Sequence, residues 1–412
     1  MKPQTDSILK VLVVAVATIV LTAIGAWIFL LGLNTVTSLR LQDPRYFLLS
    51  PVVGLITGLV YVLLSHRSAG GNTLLVSLLR RTSDDTIKEQ VPGAMAPIII
   101  FTTWIAHLAG LSVGREGTAV QMGGGISASF CRLFQIHSRR AQRLLLQIGV
   151  ACGFAAVFGV PTAGAVFALE VAGDLQLSRI RRDSVPIAFC FAILFSAFLA
   201  DGLAREVGAK HAHYPNLLWT QLLDFKMVYG LIFAALIFAF MAWIFLLLLD
   251  TFRVIWARMV RKVWLRPVIG GLFFMPMAYA PVSLQRYAGL GTDVISAGFL
   301  SFPEKLQGLQ DALMKILFTV YAIGTGFRGG EVTPLFFIGV TSGNYVASLV
   351  GVEPAVIAAT GLVAVFGAAA NIPLTCAVMA GELFGLPGFV AALPVCLVAA
   401  KLCRRTRLYD EG

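Results

Sequence analysis

The chain has 412 residues, of which 58% are hydrophobic and only 13% charged, with a mean hydropathy of +0.84. These values exclude an ordinary soluble globular protein and point to a polytopic membrane protein, a single transmembrane domain over residues 1–412 with no soluble domain of useful size. The net charge of +11 gathers at Arg80/Arg81, Arg132 with Arg139, Arg140 and Arg143, Arg179/Arg181/Arg182, Arg258/Arg261/Lys262/Arg266 and Arg404/Arg405/Arg407, the pattern of cytoplasmic loops rather than of a nucleic-acid surface. No nucleic acid is expected as a partner, and the C-terminus is placed in the cytoplasm.

Residues 11–39, 227–249, 332–352, 354–381 and 383–400 lack Asp, Glu, Lys and Arg, and about 20 apolar residues suffice for a helix to cross the bilayer. The runs are continuously apolar rather than alternating, which argues against a membrane β-barrel, so the expected fold is all-α. The first run is too long for a signal-peptide core and has no clear cleavage site, so it reads as a retained helix. Two helices fill residues 1–64. In HRSAGGNTLLV, which follows, Gly70 and Gly71 suit a tight turn and Asn72 or Thr73 a helix N-cap, so another helix starts there.

Beyond a polar loop (80–93), a helix from about Pro97 to Leu111 leads into VGREGTAVQMGGG (113–125). That stretch sets Arg115 and Glu116 between glycines at bilayer depth, where an ionisable group is costly enough to be read as functional. A basic link (132–143) precedes a long small-residue segment, 148–173, with Pro161 in its middle. Small residues let membrane helices approach closely, and Pro or Gly breaks them where buried partners or a cavity satisfy the freed backbone.

After a polar mid-region (201–226) the sequence repeats. PTAGAVFALE (161–170) matches PLTCAVMAGE (373–382) at five of ten positions, 212 residues apart, and FRGGEVTPLFFIG (327–339) lies at nearly the same offset from the Glu116 stretch. The expected organisation is therefore two halves, 1–205 and 206–412, each with a glycine-rich break carrying an acid and then a helix pair around a proline. Broken segments at corresponding positions are the sequence sign of a transporter's binding site. Helix N-termini near Asn72, near Glu116 to Ala119 and near Val332 to Leu335 together predict an anion site.

At this point the residues resemble a known family. GREG (114–117), VFGVPTAGAVFALE and GGEVTP (329–334) resemble three signatures of the CLC chloride channel and transporter family, in order across nearly the whole chain. The resemblance implies a parallel homodimer whose subunits each hold a pore built of two inverted repeats, with broken and re-entrant helices meeting at a mid-membrane anion site. It puts the family's gating glutamate on Glu116. Departures from the usual pattern narrow the reading: SAGGN (68–72) has no central serine and has Asn72 where the family has proline. Glu331 and Thr333 flank Val332 in the third motif, and Val171 stands where exchangers often carry an acid. This pattern resembles the fluoride-exporting branch, which exchanges fluoride for protons; by that resemblance Tyr409 faces the central anion, an exposed C-terminal tyrosine being the other reading.

Each site residue also has a plainer reading. Glu116 is expected to alternate between occupying the anion's place as a carboxylate and standing aside protonated; the alternative is a salt bridge to Arg115 that satisfies a re-entrant loop. Glu331, a second acid beside a helix start, is assigned to the proton or fluoride path. Asn72 and Thr333 can donate to an anion or cap a helix, and Gly71, Thr73, Gly117, Thr118 and Val332 complete the anion-binding set. Glu170 and Glu382 read as helix-end acids paired with arginines, His211 and His213 as a surface-loop pair rather than a metal site, and the six scattered cysteines as small core residues.

The expectation is a fluoride/proton antiporter of the bacterial inner membrane, exporting fluoride, without metal or organic cofactor. The alternatives are a chloride/proton exchanger or a passive anion channel of the same family. A membrane-embedded enzyme using Glu116, Glu331 and His107 is a poorer fit, because no nucleophile or metal-ligand constellation accompanies them.

Overall fold

The computed structural model describes residues 6–63, 70–80, 87–175, 186–300, 308–403 and 408. Among them are sixteen α-helices of six residues or more and no strand. In order they are α1 (Ile8–Gln42), α2 (Ser50–Leu63), α3 (Gly71–Arg80), α4 (Met95–Leu108), α5 (Glu116–Leu133), α6 (Arg139–Phe158), α7 (Pro161–Val171) and α8 (Ile187–Glu206). There follow α9 (Phe225–Met259), α10 (Arg266–Phe274), α11 (Thr292–Ala297), α12 (Leu309–Gly324), α13 (Val332–Val350), α14 (Pro354–Ala370), α15 (Pro373–Phe384) and α16 (Leu386–Leu402). The first eight and the last eight helices match best in length at α1 and α9, with 35 residues each, at α5 and α13, with 18 and 19, and at α7 and α15, with 11 and 12.

Six segments are long and apolar enough to cross a membrane. They divide by surroundings: 83% of the α6 window and 78% of the α13 window are buried in protein, against 33% for α1 and α8. The lipid-facing helices expose large apolar side chains, such as Val16 and Leu31 on α1 and Phe191 and Phe195 on α8, which water would penalise and hydrocarbon does not. The interior helices are lined with small residues instead, because helices in lipid associate by close packing.

That packing is set by glycine pairs. A Cβ on Gly123 of α5 would lie 1.9 Å from the Gly149 carbonyl oxygen of α6, and one on Gly339 of α13 would lie 1.9 Å from that of Gly361 on α14. Each pair brings two backbones into contact, and any side chain would force them apart.

The breaks after α6 and α14 share one mechanism. Gly159 ends α6 in the left-handed region at φ 74°, and Asn371 ends α14 likewise at φ 56°. One non-helical residue follows, Val160 or Ile372, and then Pro161 or Pro373 starts a new helix at its first position, where proline's fixed φ and missing N–H cost nothing. The resulting α7 and α15 have 11 and 12 residues, too few to span the bilayer alone.

These two helices complete one another. The Glu170 carboxylate at the end of α7 accepts from Leu374 N (3.1 Å), Thr375 N (2.7 Å) and Thr375 Oγ1 (2.6 Å) at the start of α15. The Glu382 carboxylate at the end of α15 accepts from Thr162 N and Ala163 N (2.8 Å each) at the start of α7. The helices therefore pack antiparallel, with each carboxylate closing the other's open N-terminus. This corrects the expectation of arginine partners: the unpaired N–H groups of a helix start bind a carboxylate without any cationic side chain.

Candidate functional site

The two glycine-rich breaks meet back to back. Gly114 and Gly330 form an isolated antiparallel bridge, in which Gly330 N donates to Gly114 O at 2.7 Å and Gly114 N donates to Gly330 O. Only glycine permits this: a Cβ on Gly330 would fall 2.6 Å from Gly117 N, and Gly329 sits at φ 159° with its Cβ position filled by Val113. The bridge sets the N-terminus of α5 beside that of α13.

Glu116 opens α5 and is 1% exposed. Its carboxylate reaches across to the other helix: Oε2 accepts from Arg115 N and from Thr333 N, both at 2.9 Å, and Oε1 accepts from Thr333 Oγ1. Arg115 Nε lies 3.8 Å from Oε1, so the same carboxylate that accepts from Thr333 also faces Arg115, as the salt-bridge reading expected. Hydrogen bonds to a charged group contribute about 1.5–3 kcal/mol each, and several are needed to offset the cost of removing a carboxylate from water. The Arg115 guanidinium lies 5.9 Å from the Phe158 ring centre, which holds it beside the site.

The third helix start is close by. Gly71 opens α3 at φ 52°, and a Cβ there would lie 3.3 Å from Gln121 Nε2. Because α3 begins at Gly71, Asn72 sits inside the first turn, two residues past the N-cap position, which corrects its capping role. Its Oδ1 is buried without a partner, and its Nδ2 lies 2.7 Å from where a Gly117 Cβ would be. Thr333 is likewise inside its helix, with Glu331 at the N-cap, so its hydroxyl serves Glu116 and not its own helix end.

The remaining expected residues divide. Val332 is buried beside Thr333. Thr118 is also buried, but its Oγ1 is taken up by Thr103 Oγ1 of α4 at 2.6 Å. Thr73 is partly buried on α3, and no hydrogen bond of its side chain bears on the site. Glu331 is partly buried, makes no side-chain capping bond, and has Arg253 of α9 and Glu116 in its electrostatic surroundings. Tyr409 lies outside the described residues. Sequence reasoning missed Thr103, Gln121 and Phe158, which hold the site's residues in place; nothing in the local pattern of α4, α5 or α6 marks them. Among the described residues no group of three or more His, Cys, Asp or Glu could hold a metal ion.

A bundle of apolar helices in which the N-termini of α5 and α13 meet at one buried carboxylate, Glu116, has the layout of a membrane transport protein with an interior ion site. A family model described as Voltage gated chloride channel matches residues 82–404, and the chain belongs to that family, the CLC family. It is 35% identical over 393 residues to the "Chloride/fluoride channel protein" of Pseudomonas syringae pv. tomato, covering 93% of this chain and 81% of that one. To the "H(+)/Cl(-) exchange transporter ClcA" of Yersinia pestis it is 28% identical over 316 residues, covering 71% of this chain and 62% of that one. The crystal structure of a CLC-type fluoride/proton antiporter has a TM-score of 0.84 to it at 27% identity, over 98% of this chain and 99% of that one. A slow cyanobacterial Cl−/H+ antiporter has a TM-score of 0.77 at 19% identity, over 96% of this chain and 94% of that one, a likeness of fold alone.

Proposed function

We propose that the protein is a fluoride/proton antiporter that exports fluoride from the cytoplasm, with Glu116 as the group that exchanges places with the anion. The observation that carries this is the capping of α13 by Glu116: its carboxylate occupies a position defined by Thr333 N and Thr333 Oγ1. An anion entering that position meets the same donors, and a protonated Glu116 loses most of its attraction to them. Fluoride is small and strongly hydrated, so it favours a site with strong O–H and N–H donors; Thr333, the first-turn N–H groups of α5 and α13, and Asn72 supply them. Gly71, Thr73, Gly117, Thr118 and Val332 complete the site's wall, and Glu331 passes protons on the inner side.

With the basic clusters on the inside, α6 runs outward and α7 inward, and the loop between α8 and α9 is external. The halves 1–205 and 206–412 are then inverted with respect to each other, in keeping with the antiparallel α7 and α15. The protein acts as a homodimer in the inner membrane of a bacterium, and its activity is transport, not catalysis.

The test is purified protein in liposomes with fluoride and chloride electrodes and a pH electrode. Fluoride efflux coupled to proton uptake is expected. Chloride leaving as readily as fluoride would move the protein to the chloride/proton exchangers, and fluoride flux without proton movement would make it a passive channel.

A further inference from the structure

Asp201 on α8 and His211 on the loop after it form a buried pair at the outer ends of α6 and α8. His211 Nε2 lies 2.9 Å from the Ala156 carbonyl oxygen. A carbonyl only accepts, so Nε2 carries the ring's proton and, in the neutral imidazole, Nδ1 is a bare lone pair. That nitrogen faces Asp201 Oδ1 at 3.9 Å, and the two side chains are 5% and 10% exposed. Asp201 Oδ1 has no hydrogen-bond partner, while Oδ2 accepts from Arg205 Nε at 2.9 Å. Two acceptors thus face each other with no hydrogen between them, an arrangement that costs free energy in a buried place.

One proton corrects it. With Nδ1 protonated, the 3.9 Å contact becomes an ion pair, and closing it by about 1 Å gives Asp201 Oδ1 a charge-assisted hydrogen bond. We propose that Asp201 and His211 are a proton-binding site for the outer solution, separate from Glu116, and that its occupation fastens residues 207–214 to the break between α6 and α7. The geometry gives that break its importance: Arg205 Nη2 donates to Gly159 O at 3.2 Å, a Gly159 Cβ would lie 2.7 Å from His211 Nδ1, and Phe158 between these anchors carries Arg115. External acid therefore tightens the frame that holds Arg115 beside Glu116.

The charged groups that face the pair come from three directions. Arg205 on α8 and Arg115 before α5 oppose a proton on His211, and Asp201 favours it; Glu382 on α15 faces Asp201 from the other side. Burial is the largest influence and lowers the imidazole's proton affinity below its ordinary value, which sets the site to respond to acid rather than to neutral surroundings.

The measurement is a histidine NMR titration of the full chain in nanodiscs, between about pH 4.5 and 8, using ring-labelled histidine. The chain has five histidines, and the His211→Gln protein identifies the resonance. Its expected behaviour is a single titration whose midpoint moves to lower pH in Asp201→Asn and to higher pH in Arg205→Gln. Opposite shifts in two variants keep the test decisive if one of them fails to fold. A His211 resonance that does not titrate in this range, or a midpoint unmoved by either variant, would overturn the proposal. Because the readout is proton occupancy and not transport, it stands or fails independently of fluoride selectivity.

Discussion

The carboxylate of Glu116 closes the first turn of a helix in the other half of the chain by accepting from Thr333, 217 residues later. It does so with donors that do not depend on which anion occupies the position. Substituting Glu116→Gln leaves a neutral side chain with one acceptor in place of an exchangeable charge. Proton uptake during fluoride efflux is expected to vanish, with fluoride flux either continuing or stalling. Liposome recordings with a pH electrode decide it, and proton coupling that survives in Glu116→Gln would remove the residue from the mechanism.

Thr333 offers both a backbone and a hydroxyl donor to the same carboxylate. Thr333→Val keeps the shape and the backbone donor but deletes the O–H, a loss of about 1.5–3 kcal/mol when the acceptor is charged. Fluoride efflux should fall at least about tenfold, the change that corresponds to 1.4 kcal/mol, while Thr333→Ser retains most of the rate. Equal rates in Val and Ser variants would mean that the hydroxyl is only packing.

Glu170 and Glu382 act on structure rather than on the anion. Either residue changed to alanine exposes two N–H groups of the partner helix, a loss of about 1–2 kcal/mol on the scale of helix caps. Thermal unfolding in detergent should shift to lower temperature for each, with the ratio of fluoride to chloride flux unchanged. A shift in that ratio would instead connect these acids to the ion path.

At Gly123 and Gly339 even one methyl group cannot be accommodated, since the carbonyl on the facing helix lies inside van der Waals contact of the added carbon. Gly123→Ala and Gly339→Ala are expected to reduce the yield of monodisperse protein on size exclusion sharply; overpacking of this sort costs about 1–3 kcal/mol or more. Gly202→Ala, with nothing within 4 Å of the added carbon, serves as the control and should behave as the parent.

What the sequence disclosed was whatever repeats or is written in single residues. Uncharged runs marked the long helices, and the matched prolines at 161 and 373 marked the breaks. Glu116 stood out because charge is rare at its depth. Contacts between residues far apart were invisible: no local signal says that Glu170 meets Thr375, or that Thr103 meets Thr118. The position of Asn72 was misjudged by two residues because Gly71, at φ 52°, begins the helix in a backbone state that composition does not reveal. The second-half segment opening α11, with Gly291 at φ 70°, parallels the start of α3 in conformation but shares too little sequence with it to be found by matching.

The exchange of carboxylates between α7 and α15 also bears on the order of synthesis. A ribosome delivers Thr162 and Ala163 long before Glu382, so the amides at the head of α7 enter the bilayer with their partner still unmade. Hydrocarbon offers such groups no water to bond to. The nascent first half must therefore stay loosely assembled, or keep that end at the lipid–water boundary, until the last tenth of the chain has been inserted. Maturation of the whole molecule then waits on one glutamate near its end, and a truncation that spares every long helix but removes Glu382 would leave the first half unfinished.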